Sequence, residues 1–215
     1  MAGIGKEQTD LVLKELAEAL VLHSAEILAE NLKDLARMPI EDPKYDRLKL
    51  SQERIQGIAN DIKSVAGLTS PLGEILSDRT LENQLHIQKI RVPLGVIGVI
   101  YEARPNVTAD VFSLCFKTGN VAVLKGGSDA EFSNLAITKV IQSVLSKHEI
   151  NPDVLTLLPA ERAATDALLH AVGFVDVLIP RGSQSLISYV RAESKIPVIE
   201  TGAGIVHTYF DESGN

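Results

Sequence analysis

The N-terminal third of the chain carries its leucines and isoleucines three and four positions apart, as along one face of a helix. Residues 7–38 show this spacing and therefore predict one or two amphipathic helices, which Pro39 brings to an end. Ser51 starts a second helical region, with apolar positions through residues 55–65, because a serine followed by polar residues is a typical helix start. Residues 69–73 then predict a turn-rich linker.

From residue 95 onward the pattern changes to short β-branched runs that alternate with amphipathic stretches, as in βαβ units. The predicted strands are 95–101, 121–125, 154–158, 175–179 and 197–200. The predicted helices are 108–117, 131–147, 161–172 and 183–193. The strands are apolar on both faces, which indicates helices on both sides of a mostly parallel sheet. The predicted fold class is therefore α/β, a doubly wound, Rossmann-like sheet preceded by N-terminal helices.

Two further stretches, 85–92 and 206–210, look extended, but the pattern assigns them no pairing partner. The change in pattern divides the chain into an N-terminal helical segment, 1–73, and an α/β domain, 74–215. We expect the second of these to carry the ligand site.

Composition narrows the classes of protein to which the chain could belong. It has 215 residues, of which 45% are hydrophobic, as expected for a soluble globular protein with a substantial core. The net charge of -7 and the scattered lysines and arginines disfavour nucleic acid and anionic membranes as partners. No apolar run could span a bilayer and residues 1–10 lack a signal-peptide pattern, so we expect a cytoplasmic protein. A single cysteine and dispersed histidines have no metal-binding spacing, so no metal site is predicted.

The most suggestive polar residues follow the predicted strands, at the sheet edge where α/β proteins bind ligands. The segments concerned are 102–108, Lys125-Gly126-Gly127-Ser128 and Pro180-Arg181-Gly182-Ser183. Lys125 and its glycines could contact a phosphate or ribose, or could form an ordinary glycine turn beside a solvated lysine. Ser183 could cap the next helix while Arg181 and Gly182 face an anion, or it could be a cap and nothing more. Neither segment matches the three-glycine dinucleotide fingerprint or the phosphate-binding loop that ends in Gly-Lys-Ser/Thr.

Residues 91–108, which read RVPLGVIGVIYEARPNVT, resemble a long and specific signature of the γ-glutamyl phosphate reductase family. That family is part of the aldehyde dehydrogenase superfamily. The resemblance extends over nearly the whole chain, through segments 45–48, 71–74, 114–120, 123–128, 178–183 and 196–199 and through His207 and Asp211. Many relatives carry a cysteine directly before that histidine, where this chain has Val206.

The resemblance implies a reaction. NADPH would reduce γ-glutamyl 5-phosphate to glutamate 5-semialdehyde with release of phosphate, the second step of proline biosynthesis from glutamate. In the family a cysteine thiolate attacks the acyl phosphate, and the resulting thioester accepts the hydride. The expected ligands are thus a small-molecule substrate and NADPH/NADP. The resemblance further implies a homo-oligomer in the full-length enzyme and raises the question of association with glutamate kinase.

The resemblance also implies roles for individual residues. Asn106 corresponds to an asparagine that donates a hydrogen bond to the reacting carbonyl oxygen, although its place after Pro105 also suits a helix cap. Arg104 either binds the phosphate or carboxylate of the substrate or pairs with Glu102. Glu200 lies near the general base of hydrolytic relatives, but acyl-phosphate reduction needs no such base, so a structural role is expected. The implied cofactor-binding residues are Lys125, Gly126 and Gly127, near the adenine ribose and its phosphate, and Arg181, Gly182 and Ser183, near the pyrophosphate.

Cys115 is the one cysteine of the chain, but it is not the expected nucleophile. It lies between Leu114 and Phe116 in an apolar predicted helix, where a buried thiol has a raised pKa and low reactivity. The resemblance places the nucleophile in a catalytic domain beyond Asn215, so we expect the chain alone to complete no reaction. It would then be an isolated first domain or the product of a shortened reading frame. The alternative is a non-catalytic module that binds a nucleotide or a partner.

Overall fold

A computed structural model of the chain describes residues 4–200 and 207–214. Within these ranges the α-helices are α1 (Lys6–Leu22), α2 (Ser24–Leu35), α3 (Tyr45–Leu48), α4 (Gln52–Gly67), α5 (Asn106–Lys117), α6 (Glu131–Lys147), α7 (Arg162–Leu169) and α8 (Gln184–Glu193). The strands are β1 (Ile75–Thr80), β2 (His86–Ile90), β3 (Val96–Tyr101), β4 (Val121–Lys125), β5 (Leu155–Leu157) and β6 (Val177–Arg181). The extended stretch predicted at 206–210 begins outside the described residues, as does Val206 itself.

The central sheet has four parallel strands in the order β5-β4-β3-β6. Side chains of β3 alternate between its faces, so that Val99 packs in the cluster with α5 and α6, and Ile100 packs in the cluster with α7 and α8. Helices therefore cover both faces, and the predicted doubly wound α/β fold is confirmed. None of the helices in the described part of the chain is both long and apolar enough to cross a membrane.

The predicted elements differ from the observed ones mainly at their ends. The strand predicted at 175–179 is observed as Val177–Arg181, because the backbone N–H of Val175 bonds to the carbonyl of Ala171 in the turn after α7. The strand predicted at 197–200 is wrong as a full strand, since only Val198 forms a bridge, with Leu178 of β6. A single bridge fixes too few backbone groups to make a strand.

The extended stretch predicted at 85–92 is β2, and its antiparallel partner is β1. The sequence did not predict β1 as a strand. The reason is that every residue of β1 is exposed, so the segment has no apolar face whose period of two would mark it.

The N-terminal helices pack into the same core as the sheet. Leu13 and Leu16 of α1 and Ile62 of α4 are fully buried in one cluster with Phe112 of α5. The segment 1–73 thus buries its apolar face against the α/β layer, and the domain boundary at residue 73 stays a prediction.

A buried polar contact joins α2 to the start of α6. The side chain of Asp34 accepts hydrogen bonds from the backbone N–H groups of Phe132 (3.2 Å) and Ser133 (2.8 Å) and from the Ser133 hydroxyl (2.6 Å). Because the first N–H groups of a helix have no partner within it, Asp34 caps α6 from a different helix. Arg37, one turn further, donates to the carbonyl of Ser128 and so holds the turn that precedes α6.

Candidate functional site

The strands β3 and β6 are neighbours, but the helices that follow them, α5 and α8, lie on opposite faces of the sheet. A crevice opens at the carboxyl ends of two such strands and is the usual ligand site of open α/β sheets. A cleft of about 440 Å³ lies there, a size typical of ligand pockets. Its polar lining residues are Lys44, Arg47, Glu102, Arg104, Arg181 and Ser183.

The loop at the start of α8 offers groups that suit an anion. Ser183 is the N-cap of α8, since its Oγ accepts the backbone N–H of Leu186 at 3.4 Å. The backbone N–H of Ser183 donates to Glu102 Oε2 at 3.0 Å, and its hydroxyl lies 3.2 Å from Glu102 Oε1. A Cβ on Gly182 would lie 2.7 Å from Glu102 Oε2, so a larger residue here would displace this carboxylate. The carboxylate of Glu102 thus occupies the place where the helix would bind an external anion.

Arg104 follows an unusual turn after β3. Ala103 is buried and has a φ of +31°, outside the regions that residues with a Cβ normally adopt. Such backbone strain is often found at functional sites, where the surrounding structure holds it in place. Within residues 4–200, Arg104 and Glu102 do not form the ion pair that was one of the two expected roles of Arg104. Glu102 instead accepts a hydrogen bond from Ser183.

Asn106 is the first residue of α5, and Pro105 takes the cap position with no capping bond from a side chain. The Asn106 side chain donates to Asp110 Oδ2 at 2.8 Å, so it does not cap the helix. Burial raises the pKa of Asp110, and its Oδ1 has no hydrogen-bond partner among the described residues. Asn106 lines a second cavity, of about 420 Å³, together with Arg47 and Arg104.

Lys125 lies at the end of β4 and is buried, so the interpretation as a solvated lysine is wrong. Its Nζ donates to the carbonyls of Gly126 and Ala160, each at 3.0 Å, and burial lowers its pKa. The next residues, Gly126 and Gly127, line a small cavity of about 150 Å³ between the ends of β4 and β5. A Cβ on Gly126 would lie 2.3 Å from Nδ2 of Asn134, which leaves this position to glycine.

A buried hydrogen-bond chain supports these loops from below. The hydroxyl of Tyr101 lies 2.7 Å from Oγ1 of Thr108, and Thr108 Oγ1 donates to Asn134 Oδ1 at 3.0 Å. Burial raises the pKa of Tyr101, which keeps it a neutral hydrogen-bonding group. The chain connects β3, α5 and α6 beneath Gly126 and so fixes three elements that end at the site.

The predicted residues thus lie along one edge of the sheet but not in one pocket. Asn106 and Ser183 follow the carboxyl ends of parallel strands, and Lys125 is the last residue of one. Arg104, Arg181, Gly182 and Ser183 share the larger cleft, Gly126 and Gly127 line the small cavity, and Asn106 opens to the cavity beside α4. Lys44 and Arg47 also line the larger cleft, and the sequence gives no signal for their role beyond the resemblance of segment 45–48.

Two other residues with reactive side chains, Cys115 and Glu200, make structural contacts. Cys115 is 6% exposed, and burial raises its pKa to about 12, so it is a neutral thiol in the core. Glu200 pairs with Arg191 at 3.1 Å, which agrees with a structural role. No group of potential metal ligands occurs in the part of the chain that the structure describes.

A family model for the aldehyde dehydrogenase family matches residues 11–202. The chain belongs to this family. A curated γ-glutamyl phosphate reductase from Parabacteroides distasonis is 61% identical to this chain, over 95% of this chain and 49% of its own length. The enzyme of that name from Bacteroides thetaiotaomicron is 56% identical over 100% of this chain and 52% of its own. The resemblance deduced from residues 91–108 is confirmed, and the chain spans about half the length of these relatives.

Solved structures agree with the family assignment. The crystal structure of γ-glutamyl phosphate reductase from Thermotoga maritima matches with a TM-score of 0.91 and 35% identity, over 94% of this chain and 50% of its own. The one from Saccharomyces cerevisiae matches with a TM-score of 0.83 and 28% identity, over 92% and 51%. A glyceraldehyde-3-phosphate dehydrogenase from Methanocaldococcus jannaschii, solved in complex with NADP, has 17% identity and a TM-score of 0.69, which shows a shared fold.

Proposed function

We propose that this aldehyde dehydrogenase chain provides the cofactor-binding part of a γ-glutamyl phosphate reductase. The reaction is the NADPH-dependent reduction of γ-glutamyl 5-phosphate to glutamate 5-semialdehyde with release of phosphate, in proline biosynthesis. The similarity at 61% identity carries this proposal, because it extends over 95% of the chain. The cleft at the ends of β3 and β6 supports it, since open α/β sheets bind nucleotides at that place.

The residues around the larger cleft fit a dinucleotide. Gly182 allows an acidic group to approach the start of α8 closely, and the Ser183 N–H already donates to a carboxylate there. The pyrophosphate of NADPH would take that bond once Glu102 moved aside, and Arg181, which lines the same cleft, would lie beside it. Lys125, Gly126 and Gly127 would hold the ribose end at the next strand. The bound nicotinamide would supply the hydride.

On the substrate side we assign Asn106 as the donor to the carbonyl oxygen and Arg104 as a ligand for an anionic group of the substrate. The Asn106 amide has one N–H directed to Asp110, which leaves its second N–H for the carbonyl oxygen. Cys115 takes no part, because its thiol is buried and uncharged. Homo-oligomer formation, association with glutamate kinase and a cytoplasmic location stay predictions.

A fluorescence titration of the chain with NADPH tests the cofactor site. We expect saturable binding, weakened roughly fivefold or more in Gly182→Ala. In the bound state the pyrophosphate would take the place of the Glu102 carboxylate, so the added methyl group would crowd the bound oxygens, and such overpacking costs about 1–3 kcal/mol. Gly67→Ala is the matched control, since nothing lies within 4 Å of a Cβ at that position. Absence of saturable binding in the folded chain would refute the cofactor assignment.

A turnover assay tests whether Cys115 is inert, since no turnover is expected of this chain either as part of a reductase or as a non-catalytic module. The chain is incubated with NADP, phosphate and glutamate 5-semialdehyde, and NADPH formation is followed by absorbance. We expect no turnover, because the one cysteine is buried among apolar side chains. Turnover that disappears in Cys115→Ala would refute the assignment of this residue to the core.

A further inference from the structure

Two cavities meet at the carboxyl edge of the sheet, and two arginines belong to both. Arg47 and Arg104 line the cleft of about 440 Å³ that contains Ser183, and they also line the cavity of about 420 Å³ that contains Asn106. The first cavity is the proposed cofactor site, and the second holds the proposed donor to the substrate carbonyl. Arg47 and Arg104 therefore stand at the border where cofactor and substrate would meet.

Both cavities carry an excess of positive charge. The cavity beside α4 is lined by the cations Arg47, Lys49, Arg54 and Arg104 and by the carboxylates Asp46 and Asp61. Asp46 is already used, because its Oδ1 accepts a bond from Arg54 at 2.9 Å. In the larger cleft the one carboxylate among the lining residues is that of Glu102, which accepts bonds from Ser183. An anionic ligand would thus meet cations that internal carboxylates do not neutralise.

The guanidinium groups of Arg47 and Arg104 have no carboxylate within 4.0 Å among residues 4–200 and 207–214. Two neighbouring cations, Lys44 and Arg54, are by contrast already paired. Lys44, on the turn before Arg47, lies 3.8 Å from Asp129, and Arg54 bonds to Asp46 and to the carbonyl of Lys49. Lys49 and Arg181, which each line one of the cavities, also have no carboxylate partner among the described residues, but only Arg47 and Arg104 have available donors and line both cavities.

The short helix α3 holds Arg47 in place although its side chain is exposed. Leu48, the next residue, is fully buried in a cluster with Leu35. Nδ2 of Asn31 donates to the carbonyl of Leu48 at 2.9 Å, and the N–H of Leu50 donates to Oδ1 of the same Asn31 at 2.8 Å. Two buried bonds and a buried side chain thus fix the backbone beside Arg47, as a binding residue requires.

We propose that Arg47 is a second substrate-binding residue that, with Arg104, binds an oxyanion group of the substrate at the border of the two cavities. This inference rests on the proposed function, which supplies a substrate with both a phosphate and a carboxylate. Guanidinium groups match both, because their donors form a planar fork that faces two oxygen atoms. The segment 45–48 would then bring the N-terminal helices into substrate recognition.

The test is an NMR titration of the 215-residue chain that follows the arginine Nε–Hε signals. Inorganic phosphate and glutamate are the probes, in separate titrations, so that the two sources of an oxyanion are distinguished. We expect at least one probe to shift the Arg47 and Arg104 signals saturably. Arg47→Gln should weaken that binding about tenfold, the effect of one charge-assisted hydrogen bond, and Arg47→Lys should weaken it less. Arg79→Gln, which removes an exposed arginine of β1, is the matched control and should change nothing.

The NADPH titration is run on the same samples. No saturable shift with either probe, or equal binding of the probe by the wild-type chain and by Arg47→Gln, would overturn the inference. If NADPH still bound in that case, the proposed cofactor site would stand. Oxyanion binding without NADPH binding would instead support Arg47 as a ligand and count against the proposed function. Arg47 is exposed, so the variant should fold, and its circular dichroism spectrum and melting temperature are measured first.

Discussion

Replacing Asp34 by alanine tests whether the N-terminal helices support the site. The wild-type carboxylate is completely buried and accepts two backbone N–H groups of α6 and the hydroxyl of Ser133. Loss of a helix cap costs about 0.5–2 kcal/mol, and a buried donor without a partner costs about 1–3 kcal/mol. Since water would reach some of these donors after the change, we expect a loss of about 2–4 kcal/mol in the free energy of unfolding.

Urea denaturation followed by circular dichroism measures this loss, and a thermal melt should show a fall of roughly 4–16 °C for a domain of this size. The stability of Asp34→Asn should lie between that of the wild type and that of Asp34→Ala, because its amide keeps one acceptor oxygen for the N–H groups. Glu18→Ala is the matched control, since it removes an exposed carboxylate from α1 that forms no ion pair within the described ranges.

An unfolding free energy of Asp34→Ala within about 0.5 kcal/mol of the wild type, the range of an ordinary surface substitution, would refute the role of Asp34 as a cap of α6. The same variant should weaken NADPH binding, because Arg37 and Asp34 hold the turn at Ser128 next to Gly127. An unchanged affinity, with the loss of stability observed, would limit the contact to a purely structural role.

Three further predictions concern single residues of the site and core. Glu102→Gln should strengthen NADPH binding about two- to fivefold in the fluorescence titration, because it removes the negative charge at the start of α8. The control Glu193→Gln, at the C-terminal end of α8, should leave the affinity unchanged. Weaker binding by Glu102→Gln would contradict the prediction. Gly126→Ala should destabilise the fold by about 1–3 kcal/mol in urea, since its Cβ would lie 2.3 Å from Nδ2 of Asn134; an unchanged midpoint would show that the loop adapts. Cys115 should react with a thiol reagent at about pH 8 only as fast as the chain unfolds, because its thiol is buried and its pKa of about 12 keeps it protonated at the pH of the assay. Rapid labelling of the native chain would count against its burial.

The elements with a strong local signal could be predicted from the sequence. Strand Val121–Lys125 and helix Glu131–Lys147 were predicted with the observed bounds, because the first is a short apolar β-branched run and the second an amphipathic stretch with helical spacing. The exposed strand β1 is not an apolar β-branched run and was missed. The single bridge at Val198 shows the opposite error, an apolar run that has too few partners to form a strand.

Part of the candidate site could likewise be predicted from the sequence, and part could not. The sequence alone determined which loops follow the strands, and the parallel sheet then places Asn106, Lys125 and Ser183 at one edge, because strands that run in the same direction end on the same side. Only the tertiary structure decided that Lys125 is buried, that Glu102 occupies the start of α8, and that Arg47 reaches the border of two cavities. These contacts join residues far apart in the chain, and their geometry depends on how whole elements pack, which no local pattern of residues encodes.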